Sequence, residues 1–157
     1  LHRAENVDHK EVLNSIIEAL QKIGRQIKLI LPLHPRTKKR LGEFGLYQEI
    51  EGIPGVIITG PLGYLDFISL LSQSSIVLTD SGGLQEESSF LGIPCLTFRE
   101  STERPITVTE GTNTVVGTQA EAIWEAFKEK SNVGRNPTKR IHLWDGKTAS
   151  RIADILF

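Results

Sequence analysis

A doubly wound, parallel α/β sheet is the fold class the sequence predicts, and three observations predict it. Short apolar runs alternate with helical patterns along the whole chain, the order expected of strands crossed over by helices. The runs at 27–31, 56–58, 76–79, 95–98 and 114–116 are unbroken rather than alternating, as in a sheet covered on both faces. The chemically capable residues fall directly after these runs: His34 and Arg36, the loop at 59–63, Ser81 to Gly83, Glu103 and Arg104. In an open parallel sheet such loops share one edge, where ligands bind.

The 157 residues fit one domain, and 39% apolar residues supply a core. A net charge of −1 with interspersed signs gives no bulk electrostatic reason to expect nucleic acid or a membrane surface as partner. No apolar run reaches membrane length, and no signal peptide is expected from this stretch. The one cysteine, Cys95, lies in an apolar run and reads as an inert buried thiol, in keeping with a reducing cytoplasm.

In chain order, Asp8 and Glu11 have capping-box spacing, and Leu13, Ile16, Ile17, Leu20 and Ile23 keep helical spacing up to Gly24, which reads as the helix stop. The strand at 27–31 is closed by Pro32, and a basic, exposed helix is expected over about 37–44. After the strand at 56–58 comes a helix over 64–73 with Leu65, Ile68, Leu71 and Ser72 inward. Beyond the strand at 114–116, Thr118 and Glu121 suggest a second capping box ahead of Ala122, Ile123, Ala126 and Phe127. A loop follows over 131–137, and a last helix at about 147–156 is expected to bury Ile152, Ile155 and Leu156. The alternation also predicts a strand ahead of residue 1, with Leu1 as its last residue, and the absence of an initiator methionine suggests an excised piece.

The chain is organised around residues 75–104. A strand leads into Asp80-Ser81-Gly82-Gly83, a helix fits Leu84 to Leu91, Gly92 and Pro94 stop it, and Cys95 to Phe98 forms the next strand. A glycine turn at a helix N-terminus leaves unpaired N–H groups at the positive end of the dipole, which is an anion site. By itself such a turn often only bends the chain. Ser81 adds a hydroxyl, and Glu87 shares the face of Leu84 and Leu91. An ionised carboxylate there needs donors, which the two hydroxyls of a ribose supply. Phosphate on the turn and ribose on Glu87 together describe a nucleotide.

Asp80-Ser81-Gly82-Gly83-Leu84-Gln85-Glu86-Glu87, Leu91-Gly92-Ile93-Pro94, Thr102-Glu103-Arg104-Pro105 and Glu110-Gly111-Thr112-Asn113 resemble the non-hydrolysing UDP-N-acetylglucosamine 2-epimerases. His2-Arg3-Ala4-Glu5-Asn6 is similar to another segment of that family, although Ala4 stands where some members have a second arginine. The resemblance spans this chain but only the C-terminal half of the family. It implies a Rossmann-like domain of a two-domain, glycosyltransferase-B-type enzyme whose N-terminal domain is absent here, and a homodimer of the intact enzyme. The implied ligands are UDP and a UDP-N-acetylhexosamine, with no metal or redox cofactor. The implied site places His2, Ser81, Gly82, Gly83 and Arg104 on the diphosphate, His2 being the catalytic member. Glu87 takes the ribose, Phe67 lies near the uracil, and His34 is linked to a second, activating nucleotide sugar.

Competing readings stand beside these. His2 reads equally as a frayed terminal residue, His34 as bonded to a backbone carbonyl, Arg104 as the partner of Glu103 or Glu100, Phe67 as core, and Asp80 as the cap of its turn. The resemblance implies inversion at C2 by elimination and re-addition of UDP, with the proton-transfer carboxylates in the absent domain and the fragment alone inactive. Two further classes stay open: the nucleotide-binding half of a related glycosyltransferase, and a non-catalytic nucleotide-sugar-binding module.

Overall fold

The computed structural model describes residues 1–134 and 141–156, so the far end of the loop expected over 131–137 lies outside the described residues. Among these, five parallel strands appear: β1 (Leu29–Pro32), β2 (Val56–Thr59), β3 (Val77–Thr79), β4 (Cys95–Thr97) and β5 (Asn113–Val115). The parallel order is as the sequence predicts, but the strands form two ladders, β1-β2 and β3-β4-β5, rather than one. Leu29 pairs with Val56 in the first, and Val77 with Cys95 and Cys95 with Asn113 in the second. Between β1 and β3 lies a groove of about 480 Å³ lined by residues of both strands.

The helices are α1 (Ala4–Val7), α2 (Lys10–Gly24), α3 (Pro35–Glu43), α4 (Tyr47–Glu51), α5 (Tyr64–Gln73), α6 (Gly82–Phe90), α7 (Pro105–Thr109), α8 (Ala120–Ser131) and α9 (Thr148–Leu156). The main core joins Leu13, Ile16, Ile17 and Ile23 of α2 to Leu96, Phe98, Ile123 and Phe127. Each such side chain contributes about 1.5–3 kcal/mol on burial. A smaller cluster of Leu71, Val77, Ile93 and Cys95 sits under α5 and α6. None of the described helices is long and apolar enough to cross a membrane.

Several local expectations are corrected. Asp8 does not cap α2, whose N-cap is His9; it ends α1 and receives hydrogen bonds from Arg36 and, at 2.9 Å, from Arg40 Nε. These guanidinium contacts, Arg36 first, hold its carboxyl below the usual range. Thr118 likewise makes no cap: the first N–H of α8, on Ala120, donates to Ser15 Oγ of α2 at 2.9 Å, and Glu121 pairs with Lys22. Tertiary partners outcompete the local box in both cases. Gly24 is the last residue of α2 for a different reason than stopping it, since a Cβ there would lie 2.6 Å from the Pro54 carbonyl oxygen. The basic helix α3 is only partly exposed, because Thr37 and Leu41 are buried. Leu65 points outward at 81% exposure, and α9 buries none of Ile152, Ile155 or Leu156.

Candidate functional site

β3 ends at Thr79, whose hydroxyl accepts the Ser81 N–H at 3.0 Å and turns the chain. Ser81 is the N-cap of α6 yet gives the helix no side-chain cap bond, so its hydroxyl is not engaged there. The glycines open the helix, two residues earlier than the sequence suggests. Their N–H groups lie in the first turn, where a helix has no internal acceptors for them. Gly82 is required by a close approach: a Cβ would sit 2.9 Å from Glu103 Oε1 and 3.9 Å from Arg104 Cγ. The turn is thus pressed against the loop that follows β4.

Asp80, fully buried, is the anchor beside this turn. Its carboxylate accepts the His2 N–H at 3.0 Å, the Arg3 N–H at 3.0 Å and Asn6 Nδ2 at 3.2 Å, and His2 Nδ1 lies 3.2 Å away. Asn6 also donates to the Phe98 carbonyl at 2.8 Å, tying α1 to the end of β4. Burial pushes the Asp80 carboxyl up, but the Leu1 ammonium and the His2 and Arg3 N–H groups outweigh it and hold it below the usual range. His2 is pushed below the ordinary histidine value, by burial first, with nearby Asp80 opposing. Its ring centroid lies 5.5 Å from that of His34, whose Nδ1 accepts the Arg36 N–H at 3.1 Å as the cap of α3.

The loop after β4 carries a chain of charges. Glu103 bonds Arg3 at 2.6 Å and Arg99, and Arg99 Nε reaches Glu5 at 2.9 Å. Arg104 Nε pairs with Glu86 of α6 at 3.0 Å, not with Glu103 or Glu100. Thr102 fixes this loop: its Oγ1 accepts the Arg104 N–H at 3.0 Å and donates to buried Gln85 Oε1 at 2.5 Å. Asn113 Nδ2 of β5 donates to the same oxygen at 3.1 Å. Glu87 follows one helical step on, and its carboxyl is raised by burial and by Glu86, against a hydrogen bond from Tyr64.

The family model for UDP-N-acetylglucosamine 2-epimerase matches residues 1–157. The chain belongs to the UDP-N-acetylglucosamine 2-epimerase family. It is 43% identical to the UDP-N-acetylglucosamine 2-epimerase of Methanocaldococcus jannaschii over 99% of its own length, and 41% identical to the UDP-2,3-diacetamido-2,3-dideoxy-D-glucuronate 2-epimerase of Pseudomonas aeruginosa. The chain spans 43% of the former relative and 42% of the latter. The M. jannaschii enzyme in complex with UDP-GlcNAc and UDP superposes with a TM-score of 0.89 at 41% identity, over 99% of this chain and 43% of that one. The Neisseria meningitidis UDP-GlcNAc 2-epimerase bound to UDP-GlcNAc gives 0.77 at 29% identity, over 99% of this chain and 42% of that one.

Within this epimerase-family domain, the predicted residues Ser81, Gly82, Gly83, Arg104 and His2 converge on one edge of the β3-β4-β5 ladder, and His34 joins them through His2. Glu87 is on α6, and its Tyr64 contact brings the start of α5 beside it. Phe67 is partly buried, packs on the second cluster and lines the groove between the ladders. Sequence reasoning missed the anchoring by Asp80 and Asn6 and the polar bridge of Gln85 and Asn113. Its only available signals were polar residues at strand ends, Asp80 after β3 and Asn113 opening β5.

Proposed function

We propose that this chain is the UDP-holding part of a 2-epimerase acting on a UDP-linked 2-acetamido sugar, with UDP-N-acetylglucosamine and UDP-N-acetylmannosamine as the pair interconverted. The observation that carries this reading is the α6 N-terminus at Ser81 to Gly83, with Arg104 against Gly82 and Glu87 further along the same helix. Oriented N–H groups and a helix dipole suit a diphosphate. The guanidinium fork of Arg104 matches phosphate oxygens, and His2 lies across the same turn. Glu87 accepts from the ribose hydroxyls, with Phe67 toward the base.

In the reaction, a base removes the C2 proton while the C1–oxygen bond to the diphosphate breaks, giving a 2-acetamidoglucal and UDP. Protonation of the opposite face of C2 and return of UDP to C1 complete the inversion. The chain's own part is to stabilise the diphosphate as it gains charge, a role for preorganised donors. The carboxylates that move the proton belong, on this reading, to a second domain. A homodimer, a cytoplasmic setting and a second nucleotide sugar near His34 complete the proposal. A second sugar reading, a UDP-diacetamido-uronate, is favoured by the P. aeruginosa relative at 41% identity. Offering both sugars to the whole enzyme separates the two.

Calorimetric titration tests the binding roles. Arg104→Ala is expected to weaken UDP by about 10- to 100-fold, the loss of a charge-assisted contact, and to leave uridine unchanged. Glu87→Ala is expected to weaken both alike, because both carry the ribose. Equal losses of UDP and uridine in Arg104→Ala would remove Arg104 from the phosphate site.

A further inference from the structure

The Arg104 side chain is 45% exposed and pairs at 3.0 Å with Glu86, itself 40% exposed. Such a pair restrains a long side chain weakly, so the direction in which the guanidinium leaves the chain is set by the Arg104 backbone. That backbone lies at φ −122° and ψ 59°, neither helical nor extended, and Pro105 after it disfavours the helical region. Threonines take both of its hydrogen-bonding groups. The N–H donates to Thr102 Oγ1 at 3.0 Å, and the carbonyl accepts Thr107 Oγ1 at 2.7 Å and the Thr107 N–H at 3.0 Å.

The two threonines lead to one buried pair of amides. Thr102 Oγ1 donates to Gln85 Oε1 at 2.5 Å. Asn113 Nδ2 donates to that same oxygen and to Thr107 Oγ1, each at 3.1 Å. Thr97 Oγ1 of β4 donates to Asn113 Oδ1 at 2.6 Å, which fixes the side of the Asn113 amide that faces Gln85 and Thr107. The bonds close a ring that begins at the Arg104 N–H and ends at the Arg104 carbonyl. Gln85 also ties this ring to the glycine turn, since its own N–H donates to the Ser81 carbonyl at 3.3 Å.

Gln85 and Thr107 have no exposed surface, and Asn113 is nearly as buried. Gln85 Nε2 has no hydrogen-bond partner among the described residues. A side chain that only filled this space would do better apolar, because an unpaired buried donor destabilises the fold. The glutamine is explained by its oxygen, which gathers the donors of Thr102 and Asn113.

We infer that Gln85 and Asn113 are positioning residues: through Thr102 and Thr107 they fix the Arg104 peptide, and with it the line along which its guanidinium meets a diphosphate at Ser81 to Gly83, an inference that rests on the reading of Arg104 as a phosphate ligand. Gln85→Met keeps the volume and removes the shared oxygen. Thr102→Val and Thr107→Val cut the ring on its N–H and carbonyl sides, and Thr102→Ser keeps the hydroxyl. UDP and uridine are titrated calorimetrically against each variant, alone and combined with Arg104→Ala, with amide hydrogen exchange followed at Arg104. Gln85→Met and both valine variants are expected to weaken UDP by about 10-fold and leave uridine unchanged, whereas Thr102→Ser does not weaken UDP. Exchange at the Arg104 amide should speed up in Gln85→Met and Thr102→Val and not in Thr102→Ser. Combined with Arg104→Ala, the same substitutions should change UDP binding by less than about 2-fold, because the group they position is gone. Thr102→Val, which lies at the part-exposed end of the ring, decides the matter should Gln85→Met not fold. Parallel losses of UDP and uridine, or a UDP loss that persists undiminished beside Arg104→Ala, would overturn the inference alone. An Arg104→Ala chain that binds UDP as tightly as the wild type would overturn the phosphate reading of Arg104 and this inference with it.

Discussion

Replacing Asp80 by asparagine keeps the shape of the side chain and removes its charge, and the structure says what that costs. The carboxylate accepts from the His2 N–H, the Arg3 N–H and Asn6 Nδ2, all within 3.0–3.2 Å, and it has no exposed surface. Hydrogen bonds to a charged group are worth about 1.5–3 kcal/mol each, but they do not add, and part-exposed His2 and Arg3 recover some bonding from water. An amide in place of the carboxylate also turns an NH₂ toward one of these donors. A loss of about 3 kcal/mol follows, close to the lower limit for breaking a buried charged network. At about 2–4 °C per kcal/mol for a chain of this size, the melting temperature falls by about 6–12 °C. The pH dependence gives a second reading. A carboxyl held below its ordinary value stabilises the fold above about pH 4 and loses that contribution as the pH falls through its folded value. The gap between wild type and Asp80→Asn should therefore close on acidification from pH 5 to pH 3. Urea or thermal unfolding across that range measures it. A shift under about 2 °C at pH 7, or a gap that widens in acid, would refute the account of Asp80 as the charged anchor.

Gly111→Ala should destabilise the protein by about 2 kcal/mol or more, because its Cβ would lie 2.4 Å from the Thr107 carbonyl oxygen and 2.8 Å from Thr107 Cα, both backbone atoms. An unchanged urea midpoint would count against that close approach. The Cys95 thiol, buried and pushed up to about 11, should resist a disulfide reagent until the protein unfolds. Rapid labelling of the native chain would show that the β4 layer opens more readily than its packing implies.

Elements with a long apolar period were legible in the sequence, and short ones were not. The spacing from Leu13 to Ile23 placed α2, whereas α1, α4 and α7, of 4, 5 and 5 residues, are too short to show a period. Position along a helix was readable, but what lies opposite was not. Leu65, Ile155 and Leu156 keep helical spacing and yet face outward, since no part of the described chain packs on them. The capping boxes failed for a related reason. Asp8 and Ser15 take partners 28 to 105 residues away, which no local pattern reports. In the site, the contiguous turn Ser81-Gly82-Gly83 was legible from its residue types alone. The contact of Asp80 with His2, 78 residues apart, was not.

The arginines near the turn have different jobs, and their partners separate them. Arg99 is 14% exposed and held between Glu5 and Glu103, and Arg3 shares Glu103 with it, so this chain of charges welds α1 to the loop after β4. Drawing Arg99 toward an anion would break its ion pairs with Glu5 and Glu103 and leave Glu103 to Arg3 alone. Arg104 is 45% exposed and has Glu86, 40% exposed, as its ion-pair partner. An exposed pair of this kind is worth about 0–1 kcal/mol, less than a charge-assisted bond to phosphate. If a diphosphate binds as proposed, taking Arg104 from Glu86 costs little and leaves the Arg3–Glu103–Arg99–Glu5 chain whole. On the proposed reading, the loosely paired Arg104 is the arginine offered to the diphosphate, and the more tightly held arginines beside it keep the glycine turn in place.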